Sequence, residues 1–428
     1  LPPCGWFAWW SSASCARRRP VAAVVAFATA TAPPAAADWP TGRTERVTLT
    51  STGAQAAKGS LGGSLSADGR YVTLVSGSTD LVPGDTNGVV DVFVRDRQTG
   101  TVERLNLTPS GGQSKTPAYD PEISPDGRYV AFKSAAADLV PGDTNGKDDF
   151  FVRDRQTRTT RKITGTVPDF SLFSVSFSPD SRYAGYAAGG IHLYDLQSGT
   201  LTRVGPWRDD VYGVTLGTGA RHIAFESHRT DIVADDTNGA GNDVFVHDRQ
   251  TGTTEIVSRG NDGRQANGST DTAISADGRY VYFSSGTQGL VPGDADGYND
   301  VFVRDRQAQT TTRVSVASDG RSGQPPAEIW SPGSRFPVIS PDGRYAVFSS
   351  TMKGLDPLDT GAEFDAFVHD LQTGTTHLVS RADGTGTAHK GDAVDVSADG
   401  RTVSFTSYAT DLVPGDTNAE TDVFVRVR

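Results

Sequence analysis

One structural unit is written seven times between residues 44 and 428, and a repeat of that length decides the architecture before any single residue is considered. Its clearest copy, from Ser124, reads SPDGRYVAFKSAAADLVPGDTNGKDDFFVRDRQTRTTRKIT. The turn aspartate recurs at Asp68, Asp126, Asp180, Asp277, Asp342 and Asp399, and a degenerate copy, GTGAR from Gly217, fills the one oversized interval. Each unit predicts four short strands. A short apolar segment precedes the SPDGR turn, whose glycine supplies the positive φ of a tight hairpin. Two strands rich in Val, Phe and Tyr follow, and then a Thr/Val strand after a QTG turn. A four-stranded unit cannot cover both its faces alone. Radial stacking covers them and leaves only short edges, so the expectation is all-β: a seven-bladed β-propeller of four-stranded antiparallel blades.

The two ends of the repeat complement one another. The last copy runs only to its third strand, DVFVRVR, while TERVTLTSTG from Thr44 matches the fourth-strand segment TTRVSVASDG from Thr311 in its apolar positions. The N-terminal strand is therefore predicted to complete the last blade and leave no free edge at the seam. A linear solenoid would call for capping repeats instead.

Residues 1–37 read differently and predict a leader, with residues 38–428 forming the single propeller. Arg17, Arg18 and Arg19 precede the apolar run from Val21, and Ala35, Ala36 and Ala37 offer a small-residue cleavage site, the plan of a secretory signal peptide. Residues 1–16, with Cys4 and three tryptophans, fit no part of such a peptide and read as an over-extended start. Both cysteines, Cys4 and Cys15, lie in this segment. The alternative of a lipoprotein anchored through Cys15 would need its apolar run before the cysteine, and here the run comes after it. The apolar run is also too short to span a bilayer. Loss of the leader removes three arginines and no acid, moving the net charge from −11 to −14. That charge opposes nucleic acid and anionic lipid as partners. The expectation is a secreted, extracellular monomer whose partner is a protein or a glycan.

In such a blade the loop joining strands two and three and the loop to the next blade emerge on one face, and these are the long ones here. Binding usually resides on the elaborated loops of a rigid scaffold. On the short-turn face an arginine follows each turn (Arg70, Arg128, Arg182, Arg221, Arg279, Arg344, Arg401) and an aspartate follows the third strand of six copies. Arg–carboxylate pairs of purely architectural value are expected there.

On the long-loop face the segment DLVPGDTNGxxD carries the acids. Its copies place Asp85, Asn87 and Asp91; Asp143, Asn145 and Asp149; Asp236, Asn238 and Asp243; Asp294, Asp296 and Asp300; and Asp416, Asn418 and Asp422. Oxygen side chains at alternate positions followed by Gly match the middle of calcium loops, so calcium is a candidate cofactor at all five. The competing reading is an Asx-type turn whose side chains satisfy backbone amides. Blade six keeps only Asp359 and Asp365, and blade three drops the loop for a Gly189-Gly190 turn. Beside that low wall, Trp207, Arg208, Asp209 and Tyr212 are candidate ligand-binding residues, with Trp330 as a further candidate.

The run SPDGRYVAF, followed by a DVFVRD strand and a TTRVS strand, resembles the TolB-like, WD-type propeller repeat over residues 44–428. The resemblance implies a propeller and no particular activity. TolB carries an additional α/β domain before its propeller, and only a few residues separate Asp38 from the first strand here, which speaks against a Tol-type role. There is no G-x-S-x-G elbow. The expected function is a non-catalytic binding propeller using its long-loop face. The alternative is a carbohydrate-active enzyme, a lyase or glycosidase, with a site at the channel mouth, where Glu226, His228 and Asp209 are the first suspects.

Overall fold

In a computed structural model the described residues are 39–165, 175–327, 329, 332–361, 363–383 and 390–428. The predicted leader and Trp330 lie outside them. Within these residues the chain forms seven four-stranded antiparallel sheets around one axis. Blade two shows the plan: Ala118–Ile123, Tyr129–Ser134, Asp149–Asp154 and Thr159–Lys162 pair in sequence order. The degenerate copy from Gly217 is blade four, with first strand Val211–Leu216 and second strand His222–Ser227. Among the described residues no helix is long and apolar enough to cross a membrane.

The burial pattern follows from stacking. Third strands such as Asp149–Asp154 are buried throughout, because both of their faces meet a neighbouring blade. A cross-strand phenylalanine pair repeats at this level: Phe132–Phe151, Phe225–Phe245, Phe283–Phe302, Phe348–Phe367 and Phe405–Phe424 stack with centroids 5.5–5.8 Å apart. Full burial of each such ring contributes about 1.5–3 kcal/mol. The hairpin glycine has a second role besides its positive φ. A Cβ on Gly127 would come within 2.5 Å of the Tyr71 ring of the preceding blade, so the turn lets adjacent blades close on each other.

The seam closes as the sequence predicts. Arg43–Arg46 pairs antiparallel with Asp422–Val427, from Arg43 opposite Val427 to Arg46 opposite Phe424. The Val47 amide then donates to the Val423 carbonyl at 2.7 Å. Arg426, fully buried, locks this strand in place: its guanidinium donates to the carbonyl of Gly42 and to Thr44 Oγ1, both at 2.7 Å.

First strands from all seven blades line a central channel of about 370 Å³. Its short-turn end is drawn in by hydrogen bonds from blade to blade: Ala398 to Ala67, Ala67 to Pro125, Thr218 to Ala276 and Ala276 to Pro341, each N–H···O at 2.8 Å. Most first strands also carry a register shift near the long-loop end, between Tyr119 and Glu122, Tyr212 and Thr215, Thr270 and Ala273, Arg335 and Val338, and Ala393 and Asp395. Such bulges re-aim side chains, and here they lie around the mouth of the channel.

Candidate functional site

The short-turn face is architectural, and its pairs form within blades. Arg70–Asp96, Arg128–Asp154, Arg279–Asp305 and Arg344–Asp370 meet at 2.6–2.7 Å, and Arg182–Asp195 and Arg221–Asp248 at 2.9–3.0 Å. The same carboxylates accept from backbone amides of the following turn, as Asp154 Oδ1 does from Gln156 at 3.0 Å. Hydrogen bonding from Arg70 holds Asp96 down at about 2, and Asp154 lies at the same level because its bonds outweigh its burial. Blade seven departs from the pattern: Val427 stands where the others have the aspartate, and Arg401 faces Asp399 at 3.8 Å. Neighbouring blades are tied by Arg97–Glu45, Arg155–Glu103 and Arg306–Glu255 at 2.6–3.1 Å.

On the opposite face each loop turns its aspartate back toward the aspartate that begins the third strand. What meets the two acids differs from blade to blade. In blade one Arg104, on the fourth strand, bridges Asp85 (3.0 Å) and Asp91 (3.3 Å), while Asn87 Nδ2 donates to Asp91 at 2.9 Å. In blade two Lys162 bridges Asp143 (3.0 Å) and Asp149 (2.5 Å), with Asn145 Nδ2 at 2.9 Å from Asp149. In blade seven Arg46 stands between Asp416 (3.3 Å) and Asp422 (3.8 Å), and Asn418 turns to the Ala56 carbonyl. In blade five Arg313 takes Asp300 at 3.0 Å. Ligand oxygens of Asp294, exposed Asp296 and Asp300 lie within 4.8 Å of one another.

Blades four and six have no such cation, because Ile256 and Leu378 occupy the fourth-strand position. Burial pushes Asp243 up to about 6, Asp359 to about 6 and Asp365 to about 8. Asp359 is nonetheless served by the Gly354 amide at 3.0 Å. Part of the Asx-turn expectation also holds, since Asn87 Oδ1 accepts from the Val89 amide and Asn145 Oδ1 from Lys147. The fourth-strand cation was open to sequence reasoning: Arg46, Arg104, Lys162 and Arg313 align in one column with Ile256 and Leu378.

The notch candidates separate. Trp207 is buried, its ring 4.8 Å from Phe225 and 5.2 Å from His247, so it covers the edge of blade four. Arg208 and Asp209 are exposed, and Tyr212 Oη donates to Asp210 at 3.3 Å with its ring edge-on to His228. Glu226 points toward blade five, accepting from the Thr272 amide and from Asn242 Nδ2, both at 3.2 Å. Burial raises both Glu226 and the nearby Asp271. Deeper in the channel burial also raises Glu122 and Asp395, the charge of Asp395 adding to the rise at Glu122.

A feature that the repeat pattern had hidden lies around the mouth. The large hydrophobics most exposed among the described residues are Leu61, Tyr119, Phe336 and Tyr408. Leu61, Tyr119 and Phe336 stand at the long-loop ends of channel-lining strands, and Tyr408 follows the second strand of blade seven, Thr402–Ser407. The arc they form spans blades six, seven, one and two. Phe336 reaches solvent because it takes φ +57° in its bulge, the conformation that Asp120 (+51°) and Asp271 (+57°) take at the same place in theirs, and one that is costly for a bulky residue. Arg335 lies 4.9 Å from the Phe336 ring centre, and Lys390 4.9 Å from that of Tyr408.

No family model and no curated relative matches the chain. Solved structures share its fold. The propeller domain of the trilobed protease from Pyrococcus furiosus aligns with 86% of this chain and 95% of its own at 14% identity and a TM-score of 0.52. That domain is described as having an open velcro topology, whereas the ring here is closed by Arg43–Arg46. An oligogalacturonate lyase from Vibrio parahaemolyticus matches over 90% of this chain and 97% of its own, at 11% identity and a TM-score of 0.49. TolB from Acinetobacter baumannii matches over 67% of this chain at 15% identity and a TM-score of 0.40, and the match spans 58% of TolB's length. At these identities the likeness is one of fold.

Proposed function

We propose that this chain is a secreted, non-catalytic binding propeller that holds a protein or glycan over the channel mouth on its long-loop face. The observation that carries the reading is the arc of Leu61, Tyr119, Phe336 and Tyr408, exposed at the rim of a rigid ring and flanked by Arg335 and Lys390. Aromatic faces beside cations suit sugar rings and extended peptides, because they offer large contact area at little conformational cost. Glu226, the first catalytic suspect, is tied to a backbone amide and to Asn242, as expected of a group that fixes one blade against the next.

Glycan and peptide arrays probed with the purified protein test this. A hit should lose at least tenfold in affinity in the Tyr119→Ala/Phe336→Ala double variant, with the unfolding midpoint unchanged because both rings are exposed. Equal binding by the double variant would move the site off the mouth. Release of shortened oligosaccharides from a bound polysaccharide would turn the reading to a lyase or glycosidase. Secretion rests on the sequence of residues 17–37; the mass of the N-terminal peptide of exported protein checks it.

A further inference from the structure

In four blades the acid that opens the third strand is held in one way. Its Oδ2 faces a cation from the fourth strand: Arg104 at Asp91, Lys162 at Asp149, Arg313 at Asp300 and Arg46 at Asp422. In three of these blades Oδ1 accepts from a polar side chain two residues beyond the cation, namely Asn106, Thr164 or Ser315, at 2.5–2.6 Å.

Blade four keeps every part of this arrangement except the cation. Asp243 is fully buried, and its Oδ1 accepts from Ser258 Oγ at 2.8 Å and from Asn238 Nδ2 at 3.3 Å. Its Oδ2, the atom that faces the cation in the sibling blades, has no hydrogen-bond partner among the described residues. The same holds for both carboxylate oxygens of Asp236 and for Asn238 Oδ1, all shielded from solvent. The fourth-strand position is Ile256, which offers no charge. The nearest cation, Arg259, is engaged 2.6 Å from exposed Asp235. Asn238 Nδ2 is taken up by Asp243 Oδ1 and the Ala266 carbonyl. The neighbouring charges of Asp236 and Asp243 are thus left with no cation bonded to either, an arrangement that costs free energy unless something neutralises it.

We propose that blade four binds a divalent cation, calcium by preference, between Asp236, Asn238 and Asp243, in the place that Arg or Lys fills in the other blades. The donors are all oxygens and carry two negative charges, which fits a hard divalent ion and excludes the soft-metal sites built from Cys or His. Blades one and two supply their own positive charge at hydrogen-bonding distance and need no ion, while in blade seven Arg46 supplies the charge from 3.8 Å without hydrogen-bonding Asp422. This site is independent of the ligand proposed for the channel mouth.

The test is calorimetric titration of CaCl2 into chelator-treated full-length protein, with thermal unfolding in parallel. Wild type should bind calcium with a Kd on the order of 0.1–1 mM, and calcium should raise its unfolding midpoint. Ile256→Lys copies the Lys162 arrangement. It should abolish the calorimetric signal and raise the midpoint measured without calcium, so lost binding cannot be mistaken for lost fold. Asp243→Asn should weaken binding at least tenfold. Absence of calcium binding in wild type, or titrations of Ile256→Lys that match wild type, would overturn the proposal. So would binding that survives Ile256→Lys and disappears with Asp296→Ala, which would place the ion in blade five.

Discussion

The two faces of the ring come from one repeat and treat charge in opposite ways. On the short-turn face Asp96 and Asp154 accept from backbone amides and meet an arginine that is itself partly exposed and whose geometry hardly varies between blades. On the long-loop face Asp91, Asp149, Asp243 and Asp365 are buried, and the partner changes between blades, from Arg104 to Lys162 to a serine with no bonded cation in blades four and six. A pair whose arginine reaches water and whose carboxylate also holds backbone amides tolerates loss better, because water and those amides replace part of the partner. A buried pair cannot do so, which makes each change on the long-loop face a stability event and a possible gain of chemistry.

The comparison presumes a closed ring, and the harshest way to break it is to delete Thr44–Thr50. That removes buried Val47, the strand residues paired with Phe424, Val425 and Arg426, and Thr44, one of the partners of Arg426. The unfolding midpoint should fall by ~10 °C or more; a midpoint equal to wild type would reject closure by the N-terminal strand. Next in size is the contrast between Arg104→Leu and Arg128→Leu. The first leaves Asp85 and Asp91 buried without a cation and should cost about 3–5 kcal/mol. The second breaks a pair whose arginine is well exposed and should cost under about 1 kcal/mol. Denaturant titration of both variants decides it, and equal losses would erase the distinction between the faces.

A further effect separates the faces by the sign of their pH dependence. Asp96 and Asp154 sit at about 2, below the unfolded value. Their contribution is present above about pH 4 and is lost as pH falls through 2. Asp365 sits at about 8, raised by burial. The folded state therefore keeps a proton that the unfolded chain has released, and stability falls as pH rises from about 4 to 8. Asp365→Asn retains an acceptor for Ser380 Oγ and should match wild type at pH 4 while exceeding it by about 5 kcal/mol at pH 8. Parallel pH profiles for the two proteins would remove Asp365 as the source of the slope. The smallest predicted change is at Asp85→Asn, where Arg104 still holds Asp91 at 3.3 Å; its calcium titration should equal that of wild type.

The sequence by itself determined the blade count, the four-strand plan and the seam, because each rests on a pattern that recurs: alternating apolar residues, a fixed Asp-Gly turn, and a first strand matching the missing fourth. It also located the acids of the long-loop face in every blade that has them. Tertiary structure decided what those acids do. Asp143 and Lys162 lie nineteen residues apart, and only sheet pairing brings the fourth-strand column under the loop, so the same Asp-x-Asn-Gly string is self-neutralised in blade two and left without a counter-charge in blade four. It likewise took Trp207 into the core of blade four and brought Phe336 out through a bulge at φ +57°. Burial and backbone twist are properties of the assembled ring, and one repeat read alone carries neither.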